Sequence, residues 1–244
     1  MQTSSPRIAL VTGANKGIGL EIAGTLARQG MRVLLGARNA ELGGAAAAQL
    51  KEQGMDVQFL ELNLGRPDSL RDAAAWIEKD AGKLDLLVNN AGITVAGDGP
   101  PTKADIDAVR RVFETNFFGT LAVTQAMLPL LRKSDAGRIV NVSSGLGSIT
   151  LNGDPEWEFA SVKILGYNAS KAALNMLTVQ LANELRDTPI KVNSADPGFT
   201  ATDLNQHRGY QTIEQGAAEA IRLALLPEGG PTGGFFNSSG ANPW

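Results

Sequence analysis

Tyr167 and Lys171 stand four residues apart in Tyr167-Asn168-Ala169-Ser170-Lys171, so on a helix they share one face. A phenol with its ordinary pKa of about 10 is a poor proton donor or acceptor at neutral pH. A nearby ammonium favours the phenolate and lowers that value, which makes tyrosine a workable general acid or base. The pair alone is a weak signal, with an ordinary surface pair as the plain alternative. Its weight comes from what accompanies it. The run Gly137 to Ser144 (GRIVNVSS) ends in two hydroxyls, and Asn89-Asn90-Ala91-Gly92 follows another apolar run. Asn116 is a polar residue within an apolar helical stretch, which calls for a buried partner. Pro197-Gly198-Phe199-Thr200-Ala201-Thr202 follows a further apolar run. Each of these could be a cap, a turn or a satisfied core amide. Together, at strand ends of one sheet, they point to one reaction site.

A second group points to a nucleotide. Thr12-Gly13-Ala14-Asn15-Lys16-Gly17-Ile18-Gly19 lies between a short apolar run and an amphipathic stretch. Glycines there permit a tight turn and close approach of backbone to a pyrophosphate, and the helix that follows offers free N–H groups to phosphate. An NAD site calls for Asp or Glu about 20 residues downstream to hold the ribose hydroxyls. Here Leu35-Gly36-Ala37-Arg38-Asn39 holds no acid. The Arg38 guanidinium suits a 2′-phosphate, and Lys16 adds a second cation, so the reading favours NADP(H) over NAD(H). The plain alternative is two solvated cations.

Elements that could position these residues follow from periodicity. Short apolar runs at Arg7 to Val11, Arg32 to Leu35, Val57 to Leu62, Leu84 to Val88, Arg138 to Val142, Ile190 to Ser194 and Gly234 to Phe236 read as strands. Helical stretches separate them: Gly17 to Arg28, Ala40 to Gln53, Pro67 to Asp80, a long one over Thr102 to Leu131, Ser170 to Arg186, and Glu214 to Leu225. This alternation predicts an α/β fold with a Rossmann-type, doubly wound parallel sheet of seven strands. The expected order is 3-2-1-4-5-6-7, with helices on both faces and one domain over residues 1–244. Ligands of such sheets bind outside the carboxyl ends of the strands, where all the motifs above fall. The Gly- and Pro-rich end, Pro227 to Trp244, reads as a surface tail packing through Phe235, Phe236 and Trp244.

Composition narrows the classes. The chain has 244 residues, 43% hydrophobic, enough for a large core. A net charge of -3 and no basic block argue against nucleic acid as a partner. Cysteine is absent, which excludes disulfides, thiolate metal sites and Cys nucleophiles. His207 is the single histidine, so no His-built zinc site forms and no metal is expected. It reads as an exposed residue or part of a substrate rim rather than a catalytic base. The opening MQTSSPR lacks an apolar leader core and no run of 18 apolar residues occurs, so no membrane is expected and the cytoplasm is the default.

On these motifs the chain resembles the short-chain dehydrogenase/reductase family from Arg7 to about Phe236, and its GANKGIG loop with Arg38 is most similar to the carbonyl-reductase branch. The resemblance implies an NADPH-dependent oxidoreductase acting on a small carbonyl or alcohol. Its catalytic set would be Asn116, Ser144, Tyr167 and Lys171. Tyr167 would donate the proton, Ser144 would hydrogen-bond the substrate oxygen, and Lys171 would bind the nicotinamide ribose and depress the tyrosine pKa. Asn116 would hold a water linking Lys171 to solvent. Gly13, Asn15, Lys16, Gly17, Ile18, Gly19 and Arg38 would hold the phosphates. Asn63 and Leu64 would lie at the adenine, and Asn90, Ala91 and Gly92 by the adenosine ribose. Pro197, Gly198, Thr200 and Thr202 would border the nicotinamide, with Thr200 or Thr202 at its carboxamide. The alternative is a non-catalytic NADP(H) sensor or scaffold of the same fold, which would not need Ser144, Tyr167 and Lys171.

Three positions depart from the family pattern. Asn63 replaces the usual Asp and could accept only through its amide oxygen. Ser144 and Tyr167 are farther apart than usual, and the extra segment, about Asn152 to Val162, carries Trp157 and Phe159 as a loop at the mouth of the site, either gate or packing. The ending is Gly233-Gly234-Phe235-Phe236. Pocket walls would come from Ile93, Val95, Leu146, Trp157, Phe159, Phe199 and Tyr210, which suits an apolar or aromatic carbonyl compound. The apolar face Leu174, Leu177, Leu181 and Leu185 serves either a family-type dimer interface or the sheet, so homo-oligomer and monomer both stay open.

Overall fold

The structure, a computed structural model, describes residues 6–244. The reading of the opening segment falls largely on Met1 to Ser5, outside the described residues. The first half alternates β1 (Ile8–Thr12), α1 (Gly17–Arg28), β2 (Arg32–Ala37), α2 (Ala40–Glu52), β3 (Val57–Glu61), α3 (Pro67–Ala81) and β4 (Leu86–Asn89). Then come α4 (Ile106–Phe113), a π-helical turn (Glu114–Gly119), α5 (Thr120–Leu131), β5 (Arg138–Val142), the short α6 (Ile149–Gly153) and α7 (Leu165–Glu184). The chain ends with β6 (Lys191–Ala195), α8 (Ile213–Ala224), β7 (Phe235–Asn237) and β8 (Gly240–Ala241). The strand order is β3-β2-β1-β4-β5-β6-β7-β8, with β1 to β7 parallel. That is the expected order with one addition, β8, which pairs antiparallel to β7.

Alternation along β1 shows why its residues are apolar without interruption. Ala9 and Val11 face a core layer shared with Ile22, Leu26, Leu50 and Leu223 of α1, α2 and α8. Leu10 faces the opposite layer, with Ile77 of α3, Met127 of α5, Leu181 of α7 and Leu185 just beyond its end. Both faces are covered, so neither parity of side chain meets water. Leu181 and Leu185 therefore serve the sheet, as one of the two readings of that face had it.

Two elements differ from the sequence expectation. Thr102 to Leu131 is not one helix. It starts at Ile106, where the Asp105 carboxylate accepts the Asp107 N–H at 2.9 Å, and it widens into the π turn that contains Asn116. Hydrophobic spacing cannot register one inserted residue, and such turns gather at functional sites. The helix expected from Ser170 begins five residues earlier, at Leu165, and carries no cap from its own neighbouring side chain. Its cap is Asp98, whose Oδ1 accepts from Gly166 N at 2.7 Å and Oδ2 from Tyr167 N at 2.9 Å. The end of the chain packs through Phe235 and Trp244, as expected. Phe235 is buried in β7 and stacks on Trp244 at 5.5 Å, while the Trp244 carbonyl accepts from Thr150 N at 2.9 Å.

A row of buried polar side chains sets the height of the helices over the sheet. Asn89 and Asn141 are register partners, as are Asn141 and Ser194. Asn89 Nδ2 donates to Asn141 Oδ1 at 2.8 Å and to Thr124 Oγ1 of α5 at 3.0 Å. Asn141 Nδ2 donates to Thr178 Oγ1 of α7 at 2.7 Å, and the Thr178 and Ser194 hydroxyls lie 2.8 Å apart. Thr178 lies two helical turns beyond Lys171 on the same face. Fixing Thr178 thus fixes where Tyr167 and Lys171 emerge above the strand ends.

Candidate active site

The site is assembled at the carboxyl edge of the sheet. β1 delivers the glycine turn, β4 delivers Asn90 to Gly92, β5 delivers Ser143 and Ser144, and β6 delivers Asp196 to Thr202. Gly13 has φ +63°, and a Cβ on it would sit 2.9 Å from Ala91 Cα, so only glycine fits where these two strand ends cross. The Asn90 amide holds that crossing: Nδ2 donates to Thr12 O at 2.9 Å and Gly13 O at 3.2 Å, and Thr12 Oγ1 accepts from Asn90 N and Ala91 N. Asn90 is thereby a brace of the loop, and its amide hydrogens are not free for a ribose.

α1 begins at Gly17 with no side chain capping its first turn and no acid in it. The N–H groups of Gly17 and Ile18 are left with no helical acceptor, and the space above Gly17 is open except for Thr202 Cγ2, 3.9 Å from where a Cβ would stand. This is a cradle for an anionic phosphate. Gly19 is buried beneath it, Ile18 packs on the core, and Asn15 stays half-buried at the turn. Arg38 is exposed at the end of β2 and enters no ion pair among the described residues. Lys16 differs from its expectation: its ammonium pairs with Asp203, which also takes His207 Nε2 at 2.8 Å. His207 accordingly belongs to the segment over the glycine turn. Asn63 also departs, because its Oδ1 accepts from Gly65 N at 3.1 Å and closes its own turn. Leu64 packs on the core beside Gly119. Of the two threonines, Thr200 is buried and donates its hydroxyl to Pro197 O at 2.9 Å, whereas Thr202 faces Gly17.

The reacting group is next to this cradle. Tyr167 is 8% exposed and Lys171 4%. Lys171 Nζ lies 5.7 Å from the centre of the Tyr167 ring and donates to Val142 O at 2.7 Å. Gly147 lets the Ser144 turn lie directly on the helix, since a Cβ there would come within 2.8 Å of the Lys171 carbonyl carbon. Ser144 Oγ accepts from Leu146 N at 3.2 Å and faces the phenol, leaving its own proton to donate. The expected depression of the tyrosine pKa is absent. Burial pushes Tyr167 up to about 12, with the Asp196 charge adding to the rise and Ser144 opposing it. Burial pushes Lys171 down to about 8. Removal from water dominates both groups, and the ammonium is spent on a backbone carbonyl.

Asn116 is fully buried with its side chain committed. Oδ1 accepts from Ile93 N at 2.8 Å, and Nδ2 donates to Ile93 O at 3.0 Å and Ser170 Oγ at 3.1 Å. It ties the segment after β4 to α7 and leaves only the second lone pair of Oδ1 open. A Cβ on Gly92 would stand 3.5 Å from Lys171 Nζ and 3.6 Å from Asn116 Oδ1, so these three meet at one point.

The long segment between Ser144 and Tyr167 is held at both ends by Asn168, whose Nδ2 donates to Asn152 Oδ1 at 3.1 Å and Val162 O at 3.3 Å. Its Trp157 and Phe159 continue with Phe199 and Tyr210, beyond β6, in an edge-to-face series with centroids 5.5 to 5.9 Å apart. Sequence reasoning passed over two residues here. Asp98 caps the helix of Tyr167, and Asp196 sits among the strand-end turns; no local spacing marks either, although an acid directly before Pro197-Gly198 was visible as a charge among apolar residues.

A family model described as short chain dehydrogenase matches residues 7–212. The chain is 36% identical to short-chain dehydrogenase/reductase 1 of Saponaria officinalis, across 98% of this chain and 96% of that protein. It is 32% identical to carbonyl reductase [NADPH] 1 of Mus musculus, across 99% of this chain and the whole of that one. The crystal structure of NADPH-bound carbonyl reductase from chicken fatty liver superposes with a TM-score of 0.84, with 28% identity and coverage of 99% of this chain and 100% of that chain. With this strand order and this site geometry, the chain belongs to the short-chain dehydrogenase/reductase family, in its carbonyl-reductase-like branch.

Proposed function

We propose that the chain, acting as one domain, uses NADPH to reduce a ketone or aldehyde to an alcohol. The observation that carries this reading is the convergence of two hydroxyl donors, Ser144 and Tyr167, beside an uncapped helix N-terminus with an exposed arginine at the next strand end. The NADPH named for the carbonyl-reductase relatives supports the cofactor. Gly13, Gly17, Ile18 and Gly19 would cradle its pyrophosphate, Arg38 its 2′-phosphate, and Lys171 a ribose hydroxyl. Bound NADPH supplies a hydride. Tyr167 carries a proton throughout the neutral range and delivers it to the substrate oxygen, while Ser144 donates a second hydrogen bond to the same atom. Two preorganised donors favour the charge that develops on that oxygen over the uncharged ground state. Asn116 and Asp98 hold the pair in place. The aromatic series over the site supports an apolar or aromatic substrate.

Oxidation of NADPH followed at 340 nm against a panel of aryl and alkyl ketones and aldehydes tests the reading. Turnover with several members is expected, and binding of NADPH without turnover would favour a sensor. Cofactor choice has its own test. Arg38→Ala should weaken NADPH by roughly ten- to a hundredfold, the range of a lost charge-assisted contact. NADH, which lacks the 2′-phosphate, should be nearly unaffected. Fluorescence titration with both nucleotides decides it, and equal losses would take Arg38 out of the phosphate site.

A further inference from the structure

Asp196 stands where β6 ends, mostly buried, and receives three donors. Its Oδ1 accepts from Gly198 N at 2.9 Å, its Oδ2 accepts from Asn242 Nδ2 at 3.1 Å, and Gly145 N also donates to it. Each donor belongs to a different segment: the turn after β6, the end of the chain after β8, and the turn that carries Ser144. The amide of Asn242 is itself oriented, because Asn237 Nδ2 donates to its Oδ1 at 3.1 Å, which leaves Nδ2 to face the carboxylate. A Cβ on Gly145 would meet Asp196 Oδ2 at 3.0 Å and Trp157 Cζ2 at 3.4 Å, so the aromatic series starts at this same junction. Burial raises the pKa of Asp196 above the ordinary carboxylate value, and the three donors work against that rise and favour the ionised form; no cation pairs with it among the described residues.

We propose that Asp196 is a positioning residue of the carbonyl site, joining the Ser144 turn, the Pro197-Gly198 turn and the C-terminal strand into one frame around the phenol. The inference rests on the reading that Ser144 and Tyr167 hold the substrate oxygen. Its charge has a second consequence. The phenol meets Ser144 from the end of β5 and Lys171 from one turn along α7, and the charge of Asp196 at the end of β6 acts on it. The Asp196 charge acts on both Tyr167 and Tyr210, with Glu158 also acting on Tyr210. A negative charge there opposes loss of the phenol proton, so reduction keeps its proton donor to higher pH. Asp196→Asn removes the charge and turns an amide hydrogen toward N–H donors, which breaks the frame.

The chain has two tyrosines, so 3-fluorotyrosine labelling yields two 19F signals, assigned with Tyr210→Phe. Fluorine acidifies the ring and brings its titration into a working range. In Asp196→Asn the Tyr167 midpoint should move to lower pH, and kcat for reduction should fall about tenfold with NADPH affinity unchanged. Asn242→Ala keeps the charge and releases only the strand, so its midpoint should stay while kcat drops several-fold. The midpoint is read without substrate or nucleotide and therefore stands even if the chain reduces no carbonyl. Wild-type kcat in both variants would overturn the positioning role. An unmoved Tyr167 midpoint in Asp196→Asn would overturn the electrostatic coupling, and NADPH affinity falling in step with kcat would make the residue a support of the fold alone.

Discussion

Tyr167→Phe is expected to lower turnover with a carbonyl substrate at least about a hundredfold, while NADPH still binds. The substitution keeps the ring, which fills a buried position on α7, and removes only the hydroxyl. Removing one donor to a developing oxyanion costs roughly 3 kcal/mol. The loss here should be no smaller, because in the proposed reaction this donor also supplies the proton. With its pKa pushed up to about 12, the tyrosine leaves the pH dependence of the wild type below about pH 10 to other groups. The phenol remains protonated from pH 6 to about 10, so in that range the alkaline decline of reduction should come from other groups. Steady-state kinetics of the purified variant, with nucleotide binding measured separately, check this. Unchanged turnover would remove Tyr167 from the reaction.

Lys171→Met should abolish measurable turnover and yet leave the protein no less stable at pH 7. The ammonium is buried, its one hydrogen bond is to Val142 O, and no carboxylate pairs with it. Burial pushes its pKa from 10.5 to about 8, a difference worth about 3 kcal/mol between its two protonation states. The sign follows from which state holds the proton. Between pH 8 and about 10.5 the unfolded chain keeps a proton that the folded chain has released, so this group's stabilising contribution grows as pH rises and is lost as pH falls through 8. Methionine has no such dependence. Thermal unfolding of both proteins should show the variant's relative advantage largest near pH 7 and shrinking toward pH 10. A constant difference over that range would mean that the lysine proton is not coupled to folding. The functional half follows from the proposed role of this cation in holding a ribose hydroxyl beside the phenol, and KM for NADPH should rise together with the fall in kcat.

Most of the sheet was legible because strand and helix periods are local properties. The π turn at Asn116 was not, since one extra residue in a helix leaves the spacing of apolar positions almost unchanged. The start of α7 was hidden for a different reason. Its cap is Asp98, 68 residues from Gly166 in the chain, so no capping residue precedes it. Lys16 read as free to meet a phosphate until the fold brought Asp203 to it from 187 residues away. Asn63, Asn90 and Asn116 were recognised as site amides, and each proved to have its side chain engaged by backbone. An amide has both donor and acceptor, and which of them remains free depends on neighbours the spacing does not name.

The order of strands and helices, the glycine turn and the shared face of Tyr167 and Lys171 were therefore properties of the sequence alone, because each depends on residues within a few positions of one another. The protonation of that pair, the partners of the asparagines and of Lys16, and the meeting of three turns at Asp196 were decided only by the tertiary structure. Those depend on how far each group is removed from water and on which distant backbone groups reach it, and both quantities exist only once the chain has closed on itself.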